Sequence, residues 1–130
     1  MATVNNTLTL SSTDLTTDAI SLSVLNTQAT ATLGGISRVK LATKVIAGAT
    51  VLALASQFTE GAMIWVYNPS TAASGNERIY VSLDEATSTI VLRGGDWAVI
   101  PWSGSTRTTD MNLEAYGQVD NAILEFGVFQ

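Results

Sequence analysis

Neither cysteine nor histidine occurs in this 130-residue sequence. The first absence excludes disulfides and thiolate metal sites, so packing, hydrogen bonding and oligomerisation must hold the fold. The second removes the commonest general base and the commonest metal ligand. Charge is scarce as well. Only 13% of residues are Asp, Glu, Lys or Arg, against roughly 25% in ordinary soluble domains. Thr and Ser fill the surface role instead. Thr has few rotamers to freeze, which suits a surface that packs against other proteins, and its β propensity suits strands. The six basic residues, Arg38, Lys40, Lys44, Arg78, Arg93 and Arg107, are scattered and the net charge is −5. That balance argues against nucleic acid or an anionic membrane as partner. No apolar run approaches the ~20 residues needed to span a bilayer. The first residues show neither the basic region nor the apolar core of a secretory leader.

What is present is hydrophobic alternation. Hydrophobic residues make up 46% of the chain, enough for a core, and the length fits one domain. Ile20, Leu22 and Val24 alternate with serines, as a half-buried strand requires. Thr7 to Leu10 alternates more weakly. Residues 38–41, 79–83, 90–92 and 113–116 read as further strands, while 50–55 reads as strand or turn. Residues 63–67 are apolar on both faces, which suits a central strand, and Asn68-Pro69 stops it. Gly34-Gly35, Asp84-Glu85 and Gly94-Gly95 read as turns, and 70–76 and 103–109 as loops. Residues 97–102 form a strand whose Pro101 lacks an amide donor and belongs at an edge or a bulge. The apolar closing segment, 122–129, must be buried.

The expected fold is all-β: a compact antiparallel β-sandwich or jelly roll of about eight strands. Residues 1–18 are expected to form a polar N-terminal arm and residues 19–130 the sandwich. One strand parity should be buried, comprising Ile20, Leu22, Val24, Ile64, Val66, Ile79, Val81, Leu83, Val99, Leu124 and Phe126.

No constellation carries chemistry. Ser and Thr abound without a His to activate them, and neither Lys40 nor Lys44 sits in a Ser-x-x-Lys context. Asp96, Asp110, Glu114, Asp120 and Glu125 include no pair marked out for glycoside cleavage, and acids beside turns cap backbone amides. No calcium loop or phosphate-binding loop is present. No catalytic residue, metal or cofactor is therefore expected. Trp65 and Tyr67 share a strand face and, with Tyr80, Trp97, Trp102 and Tyr116, invite a carbohydrate platform. Strand aromatics of a small β domain more often belong to the core. Trp102, beside Pro101, is the aromatic expected at an interface. Partner contacts are accordingly expected at Thr7, Leu8, Thr9 and Leu10 in the arm, and at Pro101 and Trp102.

Several stretches carry a resemblance. They are Leu8-Thr9-Leu10 with Asp14-Leu15-Thr16-Thr17-Asp18-Ala19-Ile20-Ser21-Leu22-Ser23-Val24, then Trp65-Val66-Tyr67-Asn68, then Leu92-Arg93-Gly94-Gly95-Asp96-Trp97-Ala98-Val99-Ile100-Pro101-Trp102, and the closing Leu124-Glu125-Phe126-Gly127-Val128-Phe129. Together they resemble small virion structural proteins of tailed bacteriophages, especially phages of cyanobacteria. The resemblance implies a β-sandwich that decorates the capsid or sits on the tail, commonly as a homotrimer. The expectation is a non-enzymatic capsid decoration (cement) protein. It would be made in the host cytoplasm and bind the major capsid protein lattice at the virion surface. A tail, head–tail or fibre component is the alternative within the particle. A carbohydrate-binding β module is the alternative outside it.

Overall fold

The structure, a computed structural model, describes residues 2–12, 20–30, 36–43, 49–58, 62–71, 77–83, 88–102 and 112–130. The turns expected at Gly34-Gly35 and Asp84-Glu85, the loop at 103–109, Lys44, Asp110 and most of the 70–76 loop lie outside these residues, as do the side chains of Leu10 and Ile20. The chain is all-β and divides into two units, Met1–Thr32 and Leu33–Gln130.

The first unit is a hairpin ribbon. Strands β1 (Ala2–Ser12) and β2 (Ile20–Thr30) pair antiparallel along their whole length, from Ala2 opposite Thr30 to Ser12 opposite Ile20. Two expectations change here. The boundary drawn at residue 19 moves to the end of β2, because the strand beginning at Ile20 pairs with β1 and not with the sandwich strands. The arm is accordingly half of a ribbon, held by the chain's own β2. The alternation of β2 is real, but Leu22 is 45% exposed and Val24 49% exposed. Their expected burial does not occur within this chain.

The second unit contains β3 (Ile36–Leu41), β4 (Thr50–Ala53), β5 (Ala62–Tyr67), β6 (Ile79–Leu83), β7 (Ser88–Leu92), β8 (Trp97–Trp102), β9 (Leu113–Gly117) and β10 (Ala122–Phe129). They form two four-stranded sheets, ordered β3-β10-β5-β8 and β4-β9-β6-β7, with every neighbouring pair antiparallel. The ambiguous 50–55 stretch is both things: β4, then a 3-10 turn at Ala55–Gln57. The strand of 63–67 is interior, between β10 and β8, and Pro101 lies on β8 at a sheet edge.

One hydrophobic cluster draws on both sheets. From the first come Leu41, Ile64, Val66 and Leu124, and from the second Ile79, Val81 and Leu113, all at 1% exposure or less. Each such side chain contributes about 1.5–3 kcal/mol by leaving water. Leu83 and Phe126 pack half-buried against this cluster. Val99 does not belong to it: the inward residues of β8 are Ala98, Ile100 and Trp102.

Trp102 corrects the expectation of an interface aromatic. It is 4% exposed, and its ring centroid lies 5.4 Å from that of Phe58. Its indole Nε1 is buried without a hydrogen-bond partner. The neighbouring Trp97, of opposite parity, is the exposed tryptophan of the strand, at 55%.

Asn68 ties the end of β5 to the neighbouring segments. It is 1% exposed. Its Nδ2 donates to the carbonyls of Glu77 and Leu92, at 2.8 and 3.2 Å, and its Oδ1 accepts from the Ser70 amide at 3.1 Å. Its backbone N–H donates to the Asp96 carbonyl, and its carbonyl accepts from Gly95. The Gly94-Gly95 turn is thereby fastened beside β5. Gly95 has φ of 85°, and a Cβ on Gly94 would lie 2.5 Å from the Ser70 carbonyl oxygen. Gly94→Ala should therefore lower the melting temperature by forcing these two backbone segments apart, and thermal denaturation of the full chain checks this.

Candidate functional site

Two surfaces stand out, one on each unit. On the ribbon, strand pairing sorts residues by face. Leu8 lies opposite Val24 and Leu10 opposite Leu22, whereas Thr7 lies opposite Leu25, Thr9 opposite Ser23 and Ser11 opposite Ser21. Side chains that face each other across an antiparallel pair share a side of the sheet. One side therefore carries Leu8, Leu22 and Val24, exposed by 43%, 45% and 49%. The other is largely Thr and Ser but also carries Leu25, exposed by 64%. No residue of either strand is charged. An isolated two-stranded hairpin is marginal in water, so an apolar ribbon face of this kind gains most by being covered. Thr7, Leu8 and Thr9, singled out as arm contacts, are exposed on this ribbon. Pro101 is exposed on the second unit, and Trp102 is not.

On the second unit, the outward face of the β3-β10-β5-β8 sheet is unusually apolar. Its register sets Arg38, Glu125, Tyr67 and Trp97 side by side across the four strands. Ile36, Gly127, Trp65 and Val99 form the next row. Trp65 and Tyr67, expected in the core, stand half-buried on this outer face with ring centroids 6.1 Å apart. The reason is parity: Ile64 and Val66 take the inward positions, and an all-apolar strand does not declare which face is which. Tyr80 and Tyr116, on the other sheet, are half-buried and stacked at 4.8 Å.

A groove of about 360 Å³ lies at the end of this aromatic row. Arg38, Ser70, Glu77, Asp120, Asn121 and Ile123 line it, with Asn68 beneath. The Arg38 guanidinium is held by the Glu125 carboxylate, and the Ser70 hydroxyl donates to Glu77. Asp120 accepts from the Thr43 backbone N–H at 2.9 Å and from its hydroxyl at 2.8 Å. Asn121 has φ of 63°, a left-handed turn conformation that Asn tolerates, and its N–H donates to the Leu41 carbonyl.

The Thr43 backbone bond, then its hydroxyl bond, hold the Asp120 carboxyl below its ordinary value of 3.8, against slight desolvation. A depressed folded-state pKa gives stability that is present above the ordinary value and lost as pH falls through the folded one. Asp120→Asn should therefore lower the melting temperature slightly near neutrality and flatten its decline below about pH 4. An unchanged acid slope would show that the Thr43 contacts contribute nothing.

The four described acids among those weighed for glycoside cleavage have other employment. Asp96 accepts from the Arg93 amide at 2.8 Å, Asp120 from Thr43, and Glu125 from Arg38. Glu114 is 3% exposed and bonded. Among the described residues no group of three acids is arranged to hold a metal, and no helix is long and apolar enough to cross a membrane. Sequence reasoning missed Asn68 and the groove. The available signal was Asn68-Pro69-Ser70, in which an Asn bonds the amide two residues on.

No family model matches the chain, and no curated protein or solved structure is significantly similar to it.

Proposed function

We propose that this chain is a non-enzymatic structural protein of a virus particle, most specifically a capsid decoration protein that staples the lattice of the major capsid protein. The observation that carries the reading is the ribbon: a charge-free strand pair with apolar side chains left open, Leu8, Leu22 and Val24 on one side and Leu25 on the other. Such a unit is suited to lie on a neighbouring protein, where backbone bonds at its edges and apolar contacts on its faces act together. Partners of this kind are the capsid lattice and further copies of the chain, as in a homotrimer, at the virion surface.

The second unit supports a rigid mounting. Counting β3 as strand 1, its sheets run 1-8-3-6 and 2-7-4-5. We read this order as a jelly-roll β-sandwich, an architecture used by capsid and lectin domains. Scarce charge fits a surface made for contact.

Quantitative mass spectrometry of purified particles tests the proposal. A capsid decoration protein should be present in on the order of hundreds of copies per particle. A small symmetric copy number would assign the chain to the tail or the head–tail junction. Absence from the particle would overturn the reading.

A further inference from the structure

The outer face of the β3-β10-β5-β8 sheet is not explained by assembly through the ribbon. It combines three features. The first is the aromatic row: Tyr67 and Trp97 are cross-strand neighbours, Trp65 follows Tyr67 on the same face, and Trp97 is 55% exposed. The second is the ion pair between Arg38 and Glu125, in the same row as Tyr67 and Trp97. The third is the groove, which shares Arg38 with that row and begins one residue beyond Tyr67, at Asn68.

We propose that this groove and the aromatic row beside it bind a neutral oligosaccharide. Aromatic faces carry negative quadrupole charge and attract the weakly positive C–H groups of a sugar ring, while Trp and Tyr add little entropy cost. The groove supplies what the hydroxyls need: carboxylate acceptors, guanidinium donors and an amide with both. Its volume of about 360 Å³ falls in the usual range for small-ligand pockets, ~300–1,000 Å³.

Charge selects the class of sugar. Glu77 and Asp120 against Arg38 leave the lining one negative charge, in a chain of net −5. An anionic glycan would be repelled. A bare cation would meet the Arg38 guanidinium. A flat apolar protein surface would cover the tryptophans but strip water from the charged groups of the groove, Arg38, Glu77 and Asp120, which is costly. An uncharged polyhydroxylated chain satisfies both parts.

The test uses the full chain on an array of neutral and acidic oligosaccharides, followed by titration of the best neutral ligand with tryptophan fluorescence as readout. Binding to a neutral oligosaccharide with a change in tryptophan emission is expected. Trp97→Ala should weaken it at least about tenfold, since the side chain is exposed and its loss spares the core. Asn121→Gly removes the amide but keeps the left-handed turn, and should weaken binding similarly. Leu22→Asp, on the ribbon, should leave it unchanged, so this inference and the assembly proposal fail separately. The proposal is overturned if no neutral glycan binds, if acidic glycans bind better, or if Trp97→Ala has no effect. It is equally overturned if Trp97→Ala abolishes particle attachment without any sugar binding, which would make this face a protein contact.

Discussion

Replacing Asn68 with Ala is expected to lower the melting temperature of the full chain by roughly 8–32 °C. The change strands the carbonyls of Glu77 and Leu92 and the amide of Ser70, all of which the Asn68 side chain now satisfies. A buried polar group left unpaired costs about 1–3 kcal/mol. The Leu92 bond is fully buried, whereas the other two are partly so. A total of about 2–4 kcal/mol is therefore reasonable, and each kcal/mol moves the midpoint of a unit this size by about 4–8 °C. Asn68→Asp makes the sharper comparison. It keeps the acceptor toward Ser70 but turns a carboxylate oxygen toward two carbonyl oxygens. Near neutral pH it should be at least as damaging as Ala, and less so in acid, where a protonated carboxyl can donate. Losses below about 1 kcal/mol for both variants would mean that water replaces the side chain and that Asn68 ties nothing together.

Leu124→Ala should cost about 2–5 kcal/mol, from lost transfer energy plus the cavity left behind. Leu124 is 0% exposed on β10, between β3 and β5, so little can collapse into the space. Its chain neighbour Ile123 is 36% exposed and points to the other side of the sheet. Ile123→Ala should stay within about 0.5 kcal/mol. Denaturant unfolding of the two variants measures the difference. Comparable losses would mean that the parity of β10 is misassigned.

Alternation made much of this fold legible. Ile79 and Val81, or Leu124 after Ala122, carry the period of a half-buried strand, and their burial follows from it. Where both parities are apolar the pattern is silent. In 97–102, Trp97 and Val99 compete with Ala98, Ile100 and Trp102 for the core, and a one-residue shift exchanges the faces. Pro101 marks Trp102 as lying near an edge but says nothing of parity, and it is Trp97 that is the exposed ring. The β2 strand shows a different limit. Ile20, Leu22 and Val24 have the period of a core strand, but period does not say what covers the apolar side. The pairing with β1 is hidden because β1 is mostly Thr, Asn and Ser, whose polarity resembles that of a free arm. Asn68 was half legible. The bond to Ser70 follows from Asn-Pro-Ser, but the partners 9 and 24 residues away follow only from topology. The groove joins residue 38 with 68–70, 77 and 119–123, a convergence no local motif announces.

The central claim is that the ribbon serves assembly while the other unit holds its own fold. It is tested most directly by the full-length double substitution Leu22→Asp, Val24→Asp, followed through both particle binding and thermal unfolding. Both side chains are already about half exposed, so the charges meet water in the free chain and meet an apolar partner only in the assembly. The expected result is loss of particle binding and of self-association, with the cooperative melting and near-ultraviolet tryptophan signal of the second unit unchanged. Retained particle binding by a folded double variant would contradict the claim.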